Sequence, residues 1–153
     1  MANTYSQVYI QYVFAVKRRD TLLQKPWRDD VFKYIAGIIQ AKEQKSIIVN
    51  GVADHVHVFV GLKPHMSMAD LVRDIKAGSS KFINEQGFLR QKFAWQDGYG
   101  VFSYAHPQID AVYKYIENQE THHAKHSFRD EYLTLLKEFG IAYDEKYIFH
   151  EPF

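Results

Sequence analysis

The stretch ADHVHVFVGL, residues 53–62, alternates valine with other side chains and therefore predicts a β-strand with two unlike faces. Its valines share one face, which is the ordinary pattern of a strand packed on a hydrophobic core. The other face carries His55, His57 and Phe59. Because the two imidazoles stand side by side, this face is suited to binding one metal ion, whereas a single histidine on a strand is usually structural.

The other periodic segments predict an α+β domain in the order β-α-β-β-α-β, with further elements after it. The predicted strands are 5–17, 46–53, 54–62, 93–95 and 101–104, with a hairpin turn near Asn50-Gly51. The predicted helices are 27–45, 67–85, about 107–124 and 129–139. This order indicates a split βαβ arrangement, ferredoxin-like or RRM-like, with an antiparallel sheet, helices on one face and the other face available for a site. We interpret residues 1–153 as one domain that ends in a C-terminal helix and tail at 127–153.

Composition excludes several kinds of chemistry. The chain of 153 residues contains no cysteine, so disulfides, thiolate zinc sites and cysteine nucleophiles are excluded. The N-terminal stretch lacks a leading cationic region and is interrupted by charge at Lys17, so we expect no signal peptide, no membrane span and a cytoplasmic location. Aromatic residues make up 16% of the chain and offer faces on which nucleobases stack.

The net charge is only +1, but it is unevenly distributed. Residues 1–62 and 63–92 each hold three more Lys and Arg than Asp and Glu, whereas 127–153 hold three fewer. A basic body with an acidic tail is compatible with a polyanion bound on one side, and equally with a mixed solvated surface. The predicted phosphate contacts are Lys17, Arg18, Arg19, Arg73, Lys76, Ser79, Ser80 and Lys81.

The helix that contains AVYKYIENQETHH offers a third ligand for the predicted metal site. Tyr115 and Gln119 are four residues apart, so they project from the same face of this helix. The amide oxygen of Gln119 is suited to complete the site, which would place the Tyr115 hydroxyl beside the ion. A tyrosine at that position is a nucleophile for phosphorus once it is activated, since a free phenol has a pKa of about 10. The alternative is that Tyr115 only packs on the sheet.

DHVHVFV followed by YKYIENQ resembles the single-tyrosine HUH transposases of the insertion-sequence-200-like family, in which His-hydrophobic-His precedes a helix bearing Tyr and, four residues later, Gln. Further matches are YVFAVKRR, IKAGSSKF, WQDGYGVFS and the run NQETHHAKHSFRDEYLTLLKEFGIAYDEKY. The resemblance covers about Tyr5 to Phe149. The HUH pair alone is a weak signal, whereas HUH with Tyr-x-x-x-Gln, WQDGYG and NQxxHH in this order is a specific one.

The resemblance implies an HUH endonuclease fold with His55, His57 and Gln119 as ligands of a divalent ion, Mg²⁺ or Mn²⁺, and Tyr115 as the nucleophile. It implies a transposase that cleaves single-stranded DNA at hairpin-marked ends, forms a 5′-phosphotyrosine and rejoins DNA by attack of another 3′-OH. It also implies a homodimer in which the His pair of one subunit is completed by the tyrosine helix of the other.

Other interpretations remain open for the whole chain and for single residues. The function could instead be that of a domesticated relative that processes repetitive hairpins, a non-catalytic split-βαβ nucleic-acid binder, or a metal-dependent phosphoesterase that uses a water. Asp54 is suited to orient His55 or to assist the ion, and equally to form a turn. A second cluster, for which we expect solvated or phosphate-facing roles, comprises His122, His123 and His126.

Overall fold

The structure, a computed structural model, describes residues 4–144 except for the side chain of Arg19. Its strands form one antiparallel sheet in the order β2-β3-β1-β4. Their bounds are Tyr9–Ala15 for β1, Lys45–Val52 for β2, His55–Gly61 for β3 and Gly100–Tyr104 for β4. The strand order and antiparallel pairing confirm the predicted α+β fold of split βαβ type. The predicted Arg19 contact and the tail beyond residue 144 lie outside the described residues.

The helices follow the strands in the predicted order. Their bounds are Lys25–Ala41 for α1, Met68–Gln86 for α2, Ile109–Glu117 for α3, Gln119–His123 for α4 and Phe128–Glu138 for α5. Short 3-10 turns occupy Lys17–Arg19 and His106–Gln108. Among the described residues, no helix combines the length and the apolar character that a membrane span requires.

The helices α1 and α2 cover the valine face of β3. Pro26 lies in the first turn of α1, where its fixed φ and missing N–H cost nothing. Ser67 caps α2 by accepting a hydrogen bond from the Asp70 N–H at 3.2 Å, and Gly87, with φ +69°, ends that helix. Fully buried members of this core include Val31, Ile35, Val56, Val58, Leu71 and Ile75. The predicted core face is therefore confirmed.

The opposite face of the sheet, which bears His55 and His57, is covered by α3, α4 and α5. Phe59 packs against Val112 and Ile116 of α3. Farther along the sheet, the contacts between strands and α5 involve Val13, Ala15, Phe102, Phe128 and Leu135. The sheet face that was predicted to be available for a site is thus covered by the tyrosine-bearing helix and the C-terminal helix. Both imidazoles are fully buried.

The hairpin between β2 and β3 turns at Ala53-Asp54, so the prediction of a turn near Asn50-Gly51 is wrong. Asn50 instead donates hydrogen bonds to the carbonyl oxygens of Ile116 at 2.9 Å and Glu117 at 3.2 Å. A Cβ at Gly51 would lie 2.2 Å from the backbone oxygen of His55, so glycine is needed there for close approach of the strands. The Asn-Gly pair therefore serves tertiary contacts inside a strand.

Two further predicted elements have different bounds. Residues 93–95 do not form a strand; Trp95 makes a single bridge with Val16, and its indole N–H donates to Ser79 Oγ at 2.9 Å. The predicted helix 107–124 is divided at Asn118, whose φ of −94° and ψ of +24° separate α3 from α4. This break lies between the two residues predicted to act together, Tyr115 and Gln119.

Candidate metal centre and nucleophile

The strand β3 fixes both imidazoles through their Nδ1 atoms. His55 Nδ1 lies 2.7 Å from Asp54 Oδ1, and His57 Nδ1 lies 2.6 Å from Gln11 Oε1. A carboxylate or amide oxygen can only accept, so each Nδ1 carries the hydrogen and donates it. The Nε2 atoms of both rings are left to face the space under α4 and α5. Asp54 is thus placed to orient His55, and it also lies in the turn between β2 and β3, so two of the three suggested roles fit its position.

The Glu131 carboxylate on α5 is the centre of this space. Its side chain is 1% exposed. One oxygen, Oε1, lies 3.0 Å from Nε2 of His55, 3.0 Å from Nε2 of His57 and 2.9 Å from Nε2 of His123. The other oxygen, Oε2, accepts hydrogen bonds from the Tyr115 hydroxyl and, at 3.1 Å, from Gln119 Nε2. One buried carboxylate therefore contacts every residue of the predicted site except Asp54.

The structure brings together the four residues that the sequence analysis assigned to ligand and nucleophile roles. Tyr115 and Gln119 both reach Glu131 despite the break at Asn118, and Gln119 Oε1 lies 3.3 Å from His55 Nε2. The Tyr115 ring stands edge-on to that of His57, with ring centres 5.8 Å apart. All of these contacts are made within one chain.

Sequence reasoning missed Glu131 and placed His123 wrongly in a solvated cluster. The signal for Glu131 was available, because it lies on the apolar stripe of α5 between Phe128 and Leu135. A carboxylate on the buried stripe of a helix needs partners, since an unpaired buried charge is costly. His123 is only 9% exposed, whereas His126 is exposed and His122 Nε2 lies 3.5 Å from Glu131 Oε2.

Burial and charge set the protonation of the cluster. Burial would raise the pKa of Glu131, but the charge of His57 and hydrogen bonds from the surrounding imidazoles outweigh burial and hold this pKa far below its ordinary value. Burial lowers the pKa of His57, whereas hydrogen bonds to Asp54 and Glu131 outweigh burial and raise the pKa of His55. Burial and then the charge of Glu131 raise the pKa of Tyr115, so its phenol is neutral in this arrangement.

A cavity of about 500 Å³ opens beside Tyr115, between α3 and α5. Its walls include Tyr104 and Val112, and Tyr115 and Glu131 also line it. No Lys or Arg is among the described residues that line this cavity. The cavity is the open space next to the nucleophile candidate, and it is large enough for a small organic group.

The predicted phosphate contacts fall into two groups. Lys17 and Arg18 are exposed on the 3-10 turn after β1, and Val16 N–H donates to the Asp54 carbonyl at 2.8 Å, which places this turn at the same end of the sheet as His55. The members on α2, which packs on the opposite face, are Arg73, Lys76, Ser79, Ser80 and Lys81.

Several of the α2 residues are engaged inside the protein. Ser79 is fully buried, and its hydroxyl donates to the Ile75 carbonyl at 2.7 Å while it accepts from Trp95. Lys76 Nζ donates to the carbonyl oxygens of Gln96 and Gly98 at 2.7 and 2.8 Å. Three others make surface contacts: Arg73 with Asp70 and Asp74, Lys81 with Glu85, and Ser80 with the Ala77 carbonyl. The turn that carries Lys17 and Arg18 differs from the α2 group in lying at the same end of the sheet as His55, and phosphate binding by either group stays a prediction.

Comparison with known proteins gives the context of this site. A candidate transposase from Deinococcus radiodurans R1 is 20% identical, with a TM-score of 0.64 over 78% of this chain and 95% of that protein. A REP-associated tyrosine transposase, solved bound to a REP hairpin, is 14% identical, with a TM-score of 0.59 over 80% of this chain and 73% of that protein. These likenesses confirm the predicted HUH transposase fold.

No match is found among curated proteins. The family described as "Transposase IS200 like" matches residues 4–119, which include the histidine strand, Tyr115 and Gln119. The resemblance that the sequence motifs indicated is therefore confirmed. The chain belongs to the IS200-like transposase family.

Proposed function

We propose that this protein cleaves and rejoins single-stranded DNA at hairpin-marked transposon ends, with Tyr115 as the nucleophile. The observation that carries the proposal is the convergence of the Tyr115 hydroxyl with the His55 and His57 imidazoles around one buried carboxylate. A phenol beside an imidazole cluster that could hold a metal ion places a nucleophile next to a group able to activate a phosphodiester. A likeness to the transposase bound to a REP hairpin supports a hairpin-bearing DNA strand as the partner.

The donor set fits a divalent metal ion. Two fully buried imidazoles, held through Nδ1, direct their Nε2 atoms to one point, and the Gln119 amide oxygen lies 3.3 Å from one of them. We assign His55, His57 and Gln119 as ligands, with Mg²⁺ or Mn²⁺ as the expected ions. The bound ion would polarise the scissile phosphate and offset the charge that develops on it during attack.

The proposed reaction is a transesterification between the Tyr115 hydroxyl and the scissile phosphodiester. The Tyr115 oxygen forms a bond to phosphorus while the bond from phosphorus to the 3′ oxygen breaks, giving a 5′-phosphotyrosine and a 3′-OH. The phenol loses a proton and the leaving 3′ oxygen gains one. Glu131 Oε2, which accepts the hydrogen bond from this hydroxyl, holds the phenol in position, and the phenol proton would pass to water in the cavity beside Tyr115. Attack of another 3′-OH on the phosphotyrosine reverses these changes and joins the strands without ATP.

A denaturing gel tests this function. The protein is incubated with a labelled single strand that contains a hairpin, in the presence of Mg²⁺ or Mn²⁺. We expect a covalent adduct that is absent for Tyr115→Phe and present for Tyr113→Phe, because Tyr113 is an exposed tyrosine of the same helix. Cleavage that persists in Tyr115→Phe would favour the phosphoesterase, and binding without cleavage would favour the nucleic-acid binder.

A homodimer with shared active sites stays a prediction. The alternative is an active site formed within one subunit. The Tyr115 hydroxyl and the imidazoles meet within one chain, so a single subunit could act in cis. Mixing Tyr115→Phe with His55→Ala distinguishes the two arrangements. Recovery of adduct in the mixture would support sites shared between subunits, whereas no recovery would support cleavage in cis.

A further inference from the structure

We propose that Glu131 and His123 are ligands of the same metal site, and that Glu131 also holds the nucleophile, so that α5 links the two functions through one carboxylate. This inference deepens the proposed function. Only the part that concerns Tyr115 depends on that function. The metal-binding part stands on the contacts of Glu131 alone. It adds two ligands, from α4 and α5, to those that the sequence motifs supplied.

The electron pairs around Glu131 Oε1 favour a metal ion at this position. Because Nδ1 of His55 and of His57 donates to an oxygen, a neutral ring carries a lone pair on Nε2. Both Nε2 atoms lie 3.0 Å from Glu131 Oε1, an atom that is itself rich in electrons. Both Nε2 atoms could donate to this oxygen only if both rings were cations, and two cationic rings with centres 5.2 Å apart repel each other, whereas a metal ion accepts a lone pair from each neutral ring.

The charges around the buried Glu131 carboxylate also favour a bound cation. Glu131 is buried, and the described contacts of its carboxylate are four imidazoles, one amide and one phenol, with no Lys or Arg among them. A buried carboxylate needs compensating positive charge, and among these described contacts only the imidazoles could supply it. Asp54, which pairs with His55, brings a second negative charge to the same cluster. A divalent cation balances both.

The distances between the candidate ligand atoms also match those found around a metal ion. Neighbouring ligands of an octahedral ion with bonds of about 2.1 Å lie about 3.0 Å apart, and tetrahedral ligands somewhat farther. The separations of Oε1 from the Nε2 atoms of His55, His57 and His123 are 3.0, 3.0 and 2.9 Å. The ligand atoms of these four residues all lie within 4.8 Å of one another. They can therefore surround an ion after small shifts of side chains alone.

The two oxygens of Glu131 have separate partners. Oε1 faces the imidazoles, while Oε2 accepts from Tyr115 and Gln119. A carboxylate that binds an ion through one oxygen keeps the second free to accept hydrogen bonds. Glu131 thus acts as a ligand and as a positioning residue for Tyr115 in the same arrangement.

Titration calorimetry with Mn²⁺, after removal of metal by a chelator, tests the ligand assignment without DNA. We expect Glu131→Gln and His123→Gln to weaken Mn²⁺ binding by roughly 10- to 100-fold or more. The matched controls Asp130→Asn and His126→Gln change exposed neighbours of the same types and should bind as the original protein does. Equal or tighter binding by Glu131→Gln would overturn the assignment, because the carboxylate would then compete with the ion.

Paramagnetic broadening by Mn²⁺ in NMR spectra gives a second readout that needs no variant in the metal site. Resonances of the His123 and Tyr115 rings should broaden at lower substoichiometric Mn²⁺ concentrations than that of Tyr113, which is on α3 but exposed, with Tyr115 identified by its loss in Tyr115→Phe. If Glu131→Gln does not fold, this measurement and the His123 and His126 variants decide. A protein that binds no Mn²⁺, or whose His123 and Tyr115 stay sharp, overturns the inference. A missing DNA adduct with intact Mn²⁺ binding overturns only the proposed function.

Discussion

The orientation of His57 depends on hydrogen bonds that lead away from the proposed metal site to Tyr104. His57 Nδ1 donates to Gln11 Oε1, and Gln11 Nε2 donates at 2.7 Å to the Tyr104 hydroxyl. Gln11 is fully buried and belongs to β1, next to β3. The amide is thus held in one orientation, which keeps its oxygen directed at the imidazole. A phenol at the edge of the sheet therefore helps to fix a proposed ligand in its interior.

The ionisation of Tyr104 should make stability depend on high pH. Burial raises the pKa of Tyr104 to about 12, above the ordinary value of about 10. A raised pKa in the folded state means that its contribution to the free energy of unfolding is complete below about pH 10 and is lost as the pH rises towards 12. We expect Tyr104→Phe to lose less stability than the original protein over this interval, measured by urea unfolding at several pH values.

Tyr113→Phe serves as the control for this titration, because Tyr113 is exposed. Its stability should fall with pH as steeply as that of the original protein. Equal slopes for Tyr104→Phe and the original protein would show that the Tyr104 phenol does not titrate with folding.

At the residue scale, sequence reasoning selected residues whose spacing was informative, and the structure brings them together around Glu131. The faces of β3 and the interval from Tyr115 to Gln119 follow from helix and strand periods. Spacing gave no role to Glu131, because one carboxylate on an amphipathic helix has no spacing partner; its only signal was its place on the apolar stripe of α5. Its role depends on the packing of α5 over the imidazoles, which is a long-range property of the fold.

At the level of the elements, the division between α3 and α4 is tied to β2. Asn50 on β2 donates to the last carbonyl groups of α3, those of Ile116 and Glu117. These carbonyls lie where the helix ends at Asn118 and would otherwise need other donors. The strand therefore holds the end of the helix that carries Tyr115.

Removal of this contact should loosen the tyrosine-bearing helix selectively. We expect Asn50→Ala to lower the free energy of unfolding by about 1–3 kcal/mol, because two carbonyls lose their donor. Amide hydrogen exchange should accelerate in α3 and α4 and stay unchanged in α1 and α2. Gln40→Ala, which changes an exposed amide on α1, is the control. Uniform acceleration across all helices would contradict a local role for Asn50.

The elements themselves were largely predictable, and their interruptions were not. The strand and helix periods predicted β1, β2, β3, α1 and α2 to within a few residues. The hydrophobic period of the helix continues through Asn118, so the local sequence does not predict the break between α3 and α4. The turn was misplaced because Asn-Gly is a strong hairpin signal, which here is outweighed by the contacts of Asn50 with α3.

For the whole molecule, the proposed metal site joins parts of the chain that are distant in sequence. His55 and Glu131, which meet at 3.0 Å, are 76 positions apart. The other proposed ligands come from β3 and α4. An unfolded chain does not hold these side chains together, so an ion that binds here binds the folded state in preference. Metal binding should therefore be linked to folding.

This linkage predicts a metal-dependent melting temperature. At a free Mn²⁺ concentration 100 times the Kd, the folded state gains about 2.7 kcal/mol, which for a chain of this length raises the Tm by roughly 5–10 °C. Differential scanning calorimetry with increasing Mn²⁺, and with a chelator as reference, measures the shift. Because the proposed ligands belong to one chain, the shift should be the same at low and high protein concentration. A shift that grows with protein concentration would instead favour a site completed by a second subunit, and an equal shift in Glu131→Gln would remove that carboxylate from the site.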